Sequence, residues 1–143
     1  MRLDNVAIVV DDIDAAITFF SELGMELEGR ATMEGDLVDR LVGIHDTRSD
    51  IAMMRTPDGH GRLELSRFDL PAIESDHRMA PVNSLGYLRV MFAVEDLGDS
   101  LARLRRLGAT VIDEVVDYQG IYKLCYIRGP EGILIGLAQQ SGP

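Results

Sequence analysis

Few side chains in this 143-residue sequence belong to the types that carry covalent catalysis. The chain has one cysteine, Cys125, one lysine, Lys123, and three histidines. The sequence contains no Ser/His/Asp order, no C-x-x-C pair and no glycine-rich phosphate loop, so neither nucleophilic catalysis nor nucleotide binding is supported. A single lysine also argues against lysine-based covalent chemistry.

We interpret the three histidines as surface residues. His60 follows a Pro-Asp-Gly turn, and an exposed loop position is preferred there over the alternative of a catalytic base. His45 lies in an irregular segment, and His77 lies in a polar connector. Cys125 falls in a predicted strand and is expected to face the helices as a small buried hydrophobic residue.

Composition and charge exclude several further classes of function. Hydrophobic residues make up 46% of the chain, as in ordinary globular domains. The formal net charge is −10, which disfavours nucleic acid and anionic membranes as partners and favours a cationic or neutral ligand. The N-terminal region does not resemble a signal peptide, and no stretch is apolar enough for a membrane helix. With one cysteine, a cytoplasmic location is expected.

Hydrophobic periodicity predicts a mixed α and β chain. Apolar residues at helical spacing after Asp12 predict an amphipathic helix, which is expected to end at Gly24. Segment 31–48 is irregular, with a short helix from Asp36, and is expected to cover the mouth of a binding site or to contact a second subunit. The remaining elements of the first half are predicted strands at 3–10, 25–30, 51–55 and 62–68.

The same pattern restarts in the second half of the chain. At an offset of 84 residues, five positions are identical: Val6/Val90, Val10/Val94, Asp12/Asp96, Leu23/Leu107 and Gly24/Gly108. A Pro-x-Gly hairpin also recurs at Pro57 and Pro130. Chance recurrence of a common local pattern is the alternative. We predict one domain over residues 1–143, built from two βαβββ modules at about 1–68 and 85–139 with a connector at 69–84.

These motifs resemble the vicinal oxygen chelate superfamily, which includes glyoxalases, bleomycin resistance proteins and extradiol dioxygenases. The resemblance rests on the segment from Leu3 to Phe20, on Arg62-Leu-Glu-Leu, and on the segment from Tyr126 to Leu137. It implies an α+β fold in which two βαβββ modules form a cup-shaped mixed sheet. It also implies a small-molecule ligand and a homodimer.

Catalytic members of that superfamily hold a divalent metal, and the resemblance carries its four ligand positions onto Asn5, Glu64, Arg89 and Gly136. Only Glu64 is a strong ligand, since an asparagine oxygen is weak, a guanidinium has no lone pair to give and glycine has no side chain. We therefore expect no metal cofactor. Glu64 and Arg89 are instead predicted to form a buried pair, with Gly136 making room for the arginine side chain. This pair is either functional or a structural relic.

The resemblance also predicts which other side chains contact the ligand. Strand alternation places them on one face of the sheets, where they would form an apolar wall with two hydroxyl groups. The alternative is that they belong to the hydrophobic core. The predicted ligand-binding residues are Asn5, Met53, Tyr122, Leu124, Tyr126 and Leu134.

Three functions are compatible with this sequence. The first is a metal-independent, glyoxalase-like lyase or isomerase acting on a small oxygenated metabolite, with Glu64 as base and Arg89 as electrophile. The second is a protein that binds and sequesters a small molecule, such as a drug, without catalysis. The third is a metal-dependent glyoxalase or dioxygenase with non-standard ligands.

Overall fold

A computed structural model describes residues 1–72 and 76–141 of the chain. The chain divides into two compact units, Met1–Asp76 and His77–Pro143, which are described separately. The boundary falls within the predicted connector 69–84, of which positions 73–75 lie outside the described residues. None of the helices in the described residues is long and apolar enough to cross a membrane.

Unit 1 contains a four-stranded sheet and two helices. The strand order is β1-β4-β3-β2, in which β1 runs parallel to β4 and the other neighbours are antiparallel. The elements are β1 (Val6–Val9), α1 (Ile13–Leu23), β2 (Glu26–Glu34), α2 (Asp36–Val42), β3 (Arg48–Arg55) and β4 (Arg62–Leu70).

Unit 2 repeats this arrangement with five strands and one α-helix. Its order is β5-β9-β8-β6, and β7 also pairs with β8. As in unit 1, the first strand is parallel to the last, and β8 is antiparallel to β9. The elements are β5 (Val90–Ala93), α3 (Leu97–Arg105), β6 (Thr110–Val111), β7 (Val116–Tyr118), β8 (Tyr122–Arg128) and β9 (Leu134–Gln140).

The repeated sequence signals act at equivalent places in the two units. The Asp12 side chain caps α1 by accepting a hydrogen bond from the Ala15 backbone N–H at 3.0 Å. Asp96 caps α3 in the same way through the Asp99 N–H at 2.9 Å. Aspartate suits this position because its carboxylate satisfies an N–H that the helix leaves unpaired. The predicted pair of βαβββ modules is confirmed, and so is the short helix from Asp36.

Strand β2 is longer than the sequence predicts. It continues to Glu34, whereas the pattern predicts a strand at 25–30 followed by an irregular segment. All nine of its residues are exposed, because β2 is an edge strand and pairs only with β3. A strand without a buried face shows no alternation of apolar and polar residues, so periodicity does not reveal its end.

In each unit, one face of the sheet packs against the helix. In unit 1, Arg30 in β2 forms an ion pair with Asp14 in α1, which identifies the helix-packed face. In unit 2, the Gln139 side chain accepts a hydrogen bond from Leu97 N–H, the first residue of α3. The core side chains on these two faces and their helices include Ala16, Phe19, Phe20, Ala52, Met54, Leu63, Leu65, Leu101, Leu104, Cys125, Ile127, Ile135 and Leu137. We call the opposite face of each sheet its distal face.

Candidate functional site

Glu64 lies at the centre of the distal face of unit 1. Its neighbours in β4, Leu63 and Leu65, are buried on the helix-packed face, so strand alternation directs Glu64 away from α1. The sheet register sets Glu64 beside Ala7 of β1 on one side and Met53 of β3 on the other. A half-buried carboxylate is thereby placed between two apolar side chains.

The Glu64 carboxylate has no partner in the described part of its own unit. None of the described residues of unit 1 forms a hydrogen bond or ion pair with it. Arg62 projects from the same face two residues earlier, but its guanidinium pairs with Glu28 at 3.0 Å and with Asp4 at 3.4 Å. The acceptor oxygens of Glu64 are thus available to a ligand.

Asn5 directly precedes β1 and is half-buried. Its side-chain nitrogen donates a hydrogen bond to Asp4 Oδ2 at 2.9 Å. This hydrogen bond, with the charges of Arg2 and Arg62, holds the pKa of the Asp4 carboxyl below its usual range. The amide oxygen and the second N–H of the side chain remain available to a ligand, and the oxygen is the side-chain atom that could bind a metal.

Arg89 and Tyr126 form a stacked pair on the distal face of unit 2. The guanidinium carbon of Arg89, directly before β5, lies 4.4 Å from the centroid of the Tyr126 ring. Arg89 is exposed. The prediction of a buried Glu64–Arg89 pair is therefore wrong about the burial of Arg89. Its guanidinium forms no hydrogen bond or ion pair with the described residues of unit 2.

The space above Gly136 is taken by a methionine. Gly136 lies between Tyr126 and Met91 in the sheet, and a Cβ built on it would be 2.8 Å from Met91 Cε. The prediction that Gly136 makes room for Arg89 is therefore wrong. Met91 stands directly opposite Gly136, whereas Arg89 comes two residues earlier and lies over the neighbouring tyrosine.

The other predicted ligand-binding residues differ in how accessible they are. Met53 and Tyr126 hold equivalent positions, each directly opposite the residue at the ligand-equivalent position of the last strand, Glu64 or Gly136. Leu124 is half-buried and Tyr122 is exposed, both in β8. Leu134 is only 2% exposed, which leaves its side chain almost no surface for a ligand.

The histidines and the cysteine take the positions expected of them. His45, His60 and His77 are exposed. Cys125 is buried on the helix-packed face, and burial raises the pKa of its thiol. A thiol that stays protonated is a poor nucleophile.

Sequence reasoning missed the Arg89–Tyr126 stack and the role of Met91. The two members of the stack are 37 positions apart, and they meet because β5 and β8 flank β9. The repeat itself contained a signal for Met91, because residue 91 follows Arg89 with strand periodicity and so shares its face.

Comparison with known proteins agrees with this geometry. A family model, Glyoxalase/Bleomycin resistance protein/Dioxygenase superfamily, matches residues 2–137. The chain belongs to this superfamily. Its structure also matches that of a glyoxalase-family protein from Bacillus cereus, with a TM-score of 0.97 and 57% identity, covering 99% of this chain and 95% of that one.

Two other members of the comparison are more distant. The uncharacterized protein YwbC of Bacillus subtilis (strain 168) is 28% identical, over 97% of this chain and 98% of its own. The fosfomycin resistance protein FosX from Listeria monocytogenes has a TM-score of 0.64 at 14% identity, covering 100% of this chain and 94% of its own. FosX shares the fold alone.

The donor set of this superfamily member does not fit the metal site that the resemblance implies. In unit 2, one ligand position holds the cation Arg89, stacked on a ring, and the other holds Gly136, covered by Met91. In unit 1, the two ligand positions offer the Glu64 carboxylate and the Asn5 amide oxygen. One carboxylate and one amide fall short of the three or four protein ligands of a typical transition-metal site.

Proposed function

We propose that this protein is a metal-independent lyase or isomerase that acts on a small oxygenated metabolite. Glu64 removes a proton from the carbon next to a carbonyl group, and the electrons of the broken C–H bond form an enolate. Arg89 stabilises the negative charge on the enolate oxygen. Glu64 then returns the proton to a different atom of the substrate; alternatively, the enolate electrons expel a leaving group, which departs with the bonding electrons and takes the proton from Glu64. Neither course needs a co-reactant.

The observation that carries this proposal is that the Glu64 carboxylate has no partner among the residues of unit 1 that the structure describes. A general base must be ionised, within reach of the substrate and not already held by a cation. The nearby cation Arg62 forms its ion pairs with Glu28 and Asp4 and not with Glu64. The apolar neighbours Met53 and Ala7 would exclude water around the carboxylate once a ligand is bound.

Arg89 supports the same proposal from unit 2. A guanidinium is cationic at every physiological pH and can stabilise an oxyanion without a metal ion. Its N–H groups have no acceptor among the described residues of its own unit. The proposal requires Glu64 and Arg89 to reach the same substrate.

A second candidate function is the binding and sequestering of a small molecule. The observation in its favour is that three of the four ligand positions carry no strong metal donor, as in a protein that does no metal chemistry. Both candidates use the same residues, and we propose that the protein acts as a homodimer in the cytoplasm in either case. Proton exchange separates the two, because binding alone leaves the C–H bond intact.

Solvent deuterium exchange tests the proposed function. Chelator-treated protein is placed in D₂O with pyruvate or dihydroxyacetone, each of which has a C–H bond next to a carbonyl, and the loss of the ¹H NMR signal is followed. We expect exchange above the protein-free rate, and we expect Glu64→Gln to lower it by about 100- to 10,000-fold. Glu34→Gln is the matched control, since Glu34 is an exposed carboxylate at the end of β2.

Three outcomes decide between the functions. Exchange that needs Glu64 but no metal supports the lyase or isomerase. Exchange that begins only after Zn²⁺, Mn²⁺, Ni²⁺ or Fe²⁺ is added would replace the proposal with a metal-dependent enzyme. Stabilisation of the protein by a compound in a thermal-shift screen, with no exchange on that compound, would favour the sequestering function.

A further inference from the structure

We propose that the distal face of unit 2 is a carboxylate-binding site, in which Arg89 holds the anionic group of the ligand and Tyr126 positions Arg89. The inference deepens the proposed function and rests on it for the identity of the reaction, but not for the binding itself. It narrows the substrate class to small monocarboxylates with a short carbon body.

The two arginines on this face differ in what they bind. Arg128 donates hydrogen bonds to the Tyr87 hydroxyl at 2.9 Å, to the Gly132 carbonyl at 3.2 Å and to the Ala80 carbonyl at 2.7 Å. It therefore joins the loop before β5 to the hairpin between β8 and β9. Arg89 has no such acceptor within residues 77–141 of unit 2, although it is exposed and carries a full positive charge.

Tyr126 fixes the orientation of Arg89. The guanidinium carbon lies over the Tyr126 ring, 4.4 Å from its centroid, in a cation–π contact. This contact occupies none of the hydrogen-bond acceptors that the guanidinium N–H groups need, so the N–H groups are available to a ligand. An arginine held in this way gives up less rotamer freedom when it forms the paired hydrogen bonds that a carboxylate accepts.

The surface beside this stack is apolar and adaptable. Met91 covers Gly136 in the row that also contains Tyr126, and Leu124 precedes Tyr126 by two residues on the same face. Methionine adapts to ligands of different shape because its side chain is flexible and polarizable. A cation next to such a surface suits a molecule with one charged end and a short hydrocarbon part.

Among anions, the charge of the whole protein favours a monoanion over a dianion. The net charge of −10 disfavours anions at long range, which is why the sequence favours a cationic or neutral ligand. This repulsion is screened beyond about 8 Å at physiological salt, whereas a direct contact with Arg89 is not. A dianionic phosphate would have only one guanidinium to neutralise its two charges, and the acidic protein would repel it about twice as strongly as a monoanion. A carboxylate is therefore the better match.

Equilibrium binding of butyrate to the full chain tests the site. The probes are sodium butyrate, its neutral isostere butyramide, and inorganic phosphate, followed by ¹H–¹⁵N NMR titration. The variants are Arg89→Gln and the matched control Arg106→Gln, an exposed arginine at the end of α3. Since Arg89 is exposed, Arg89→Gln is expected to fold, and the NMR spectrum of the unliganded variant checks this.

We expect saturable butyrate binding that Arg89→Gln weakens by about tenfold or more and that Arg106→Gln leaves unchanged. Butyramide and phosphate should bind at least about tenfold more weakly than butyrate. Tyr126→Leu should also weaken butyrate binding, and Tyr126→Phe, which keeps the ring, should restore it. Equal losses in Arg89→Gln and Arg106→Gln, or equal binding of butyramide, would overturn the site; a preference for phosphate would overturn the carboxylate assignment.

Glu64→Gln separates this inference from the proposed function. The variant should abolish deuterium exchange while leaving butyrate binding in place. Arg89-dependent butyrate binding without any Glu64-dependent exchange would retain the carboxylate site and reject the enzyme. Glu64-dependent exchange together with butyrate binding that ignores Arg89 would retain the enzyme and reject the site.

Discussion

Gly132 and Gly136 lie four residues apart at the start of β9, and each is glycine for a different reason. Gly132 has a backbone φ of +80°, and an added Cβ would lie 3.1 Å from the backbone nitrogen of Met79. Gly136 has an ordinary φ, and the three atoms nearest to its added Cβ all belong to the Met91 side chain. The first position is restricted by the backbone, and the second by a side chain that can move.

Alanine substitutions should separate these two restrictions. Gly132→Ala should destabilise the protein by about 1–3 kcal/mol. The left-handed conformation is strained for alanine, and the backbone nitrogen of Met79 cannot move away from the added Cβ. Gly136→Ala should cost about 1 kcal/mol or less, since Met91 can adopt another rotamer. Urea unfolding of both variants measures the difference, and equal losses would contradict this account of Gly136.

Contacts between individual side chains are the part of the structure that the sequence predicts least well. The family resemblance points to Glu64 and Arg89. The sheet register places Glu64 and Gly136 at equivalent positions of the two units. The stack of Arg89 on Tyr126 depends on rotamers of residues from two separate strands, which no local pattern encodes. Hydrophobic periodicity predicts the face of a strand residue, not the neighbour that its side chain contacts.

Among the elements, α2 is held by one aspartate to the loop that leads into β3. Asp39 accepts hydrogen bonds from the Thr47 hydroxyl and from the backbone N–H groups of Thr47 and Asp46, the last two at 2.9 Å. The Thr47 hydroxyl is the main cause that holds the pKa of Asp39 below its ordinary value of 3.8. The carboxylate thus closes the loop that follows α2.

Acid should open this loop. Because the folded pKa of Asp39 lies below the unfolded one, its stabilising contribution is present above pH 3.8 and is lost as the pH falls through the lowered pKa. Hydrogen exchange at the Asp46 and Thr47 amides should become faster, relative to the intrinsic rate, as the pH falls through that range. Asp39→Asn should produce the same loss at neutral pH by removing one acceptor oxygen.

Asp36→Asn is the control for this prediction. Asp36 lies on the same helix and forms an exposed ion pair with Arg40, away from the loop. Its substitution should leave the Asp46 and Thr47 amides protected. Protection that is insensitive to Asp39→Asn, or equally sensitive to Asp36→Asn, would mean that the loop is closed by other contacts.

Helix α1, which has a buried face, was predicted with its bounds, whereas the full length of the exposed strand β2 was not. Helix α1 runs from Ile13 to Leu23 as expected, because its apolar stripe, its Asp12 cap and the glycine at position 24 agree. Strand β2 was predicted only as far as residue 30, because neither of its faces is buried. An element with a buried face shows a periodic pattern of apolar residues, so the ends of an element without a buried face are hard to predict from the sequence.

At the scale of the whole molecule, α2 presents an apolar surface that the single chain leaves exposed. Leu37 and Leu41, one helical turn apart, are 74% and 82% exposed. Segment 31–48 was expected to contact a second subunit or to cover a binding site. The homodimer stays a prediction, and these two leucines are the side chains we expect it to bury.

Sedimentation velocity tests this prediction. The unmodified protein should sediment as a dimer, and Leu41→Glu should shift it to the monomer because a charge would be buried in the interface. Leu85→Glu is the control, since Leu85 is also fully exposed but lies in unit 2. A monomeric unmodified protein, or dissociation by Leu85→Glu alone, would count against an interface at α2.

The central claim is that this superfamily member relies on its own side chains in place of a bound metal. Elemental analysis of untagged protein, purified after growth with Zn, Ni, Mn and Fe and dialysed without chelator, tests it most directly. We predict fewer than about 0.1 metal ions per chain, because the ligand positions hold one carboxylate, one amide, a cation and a glycine. About one ion per chain, lost in Glu64→Ala, would contradict the account.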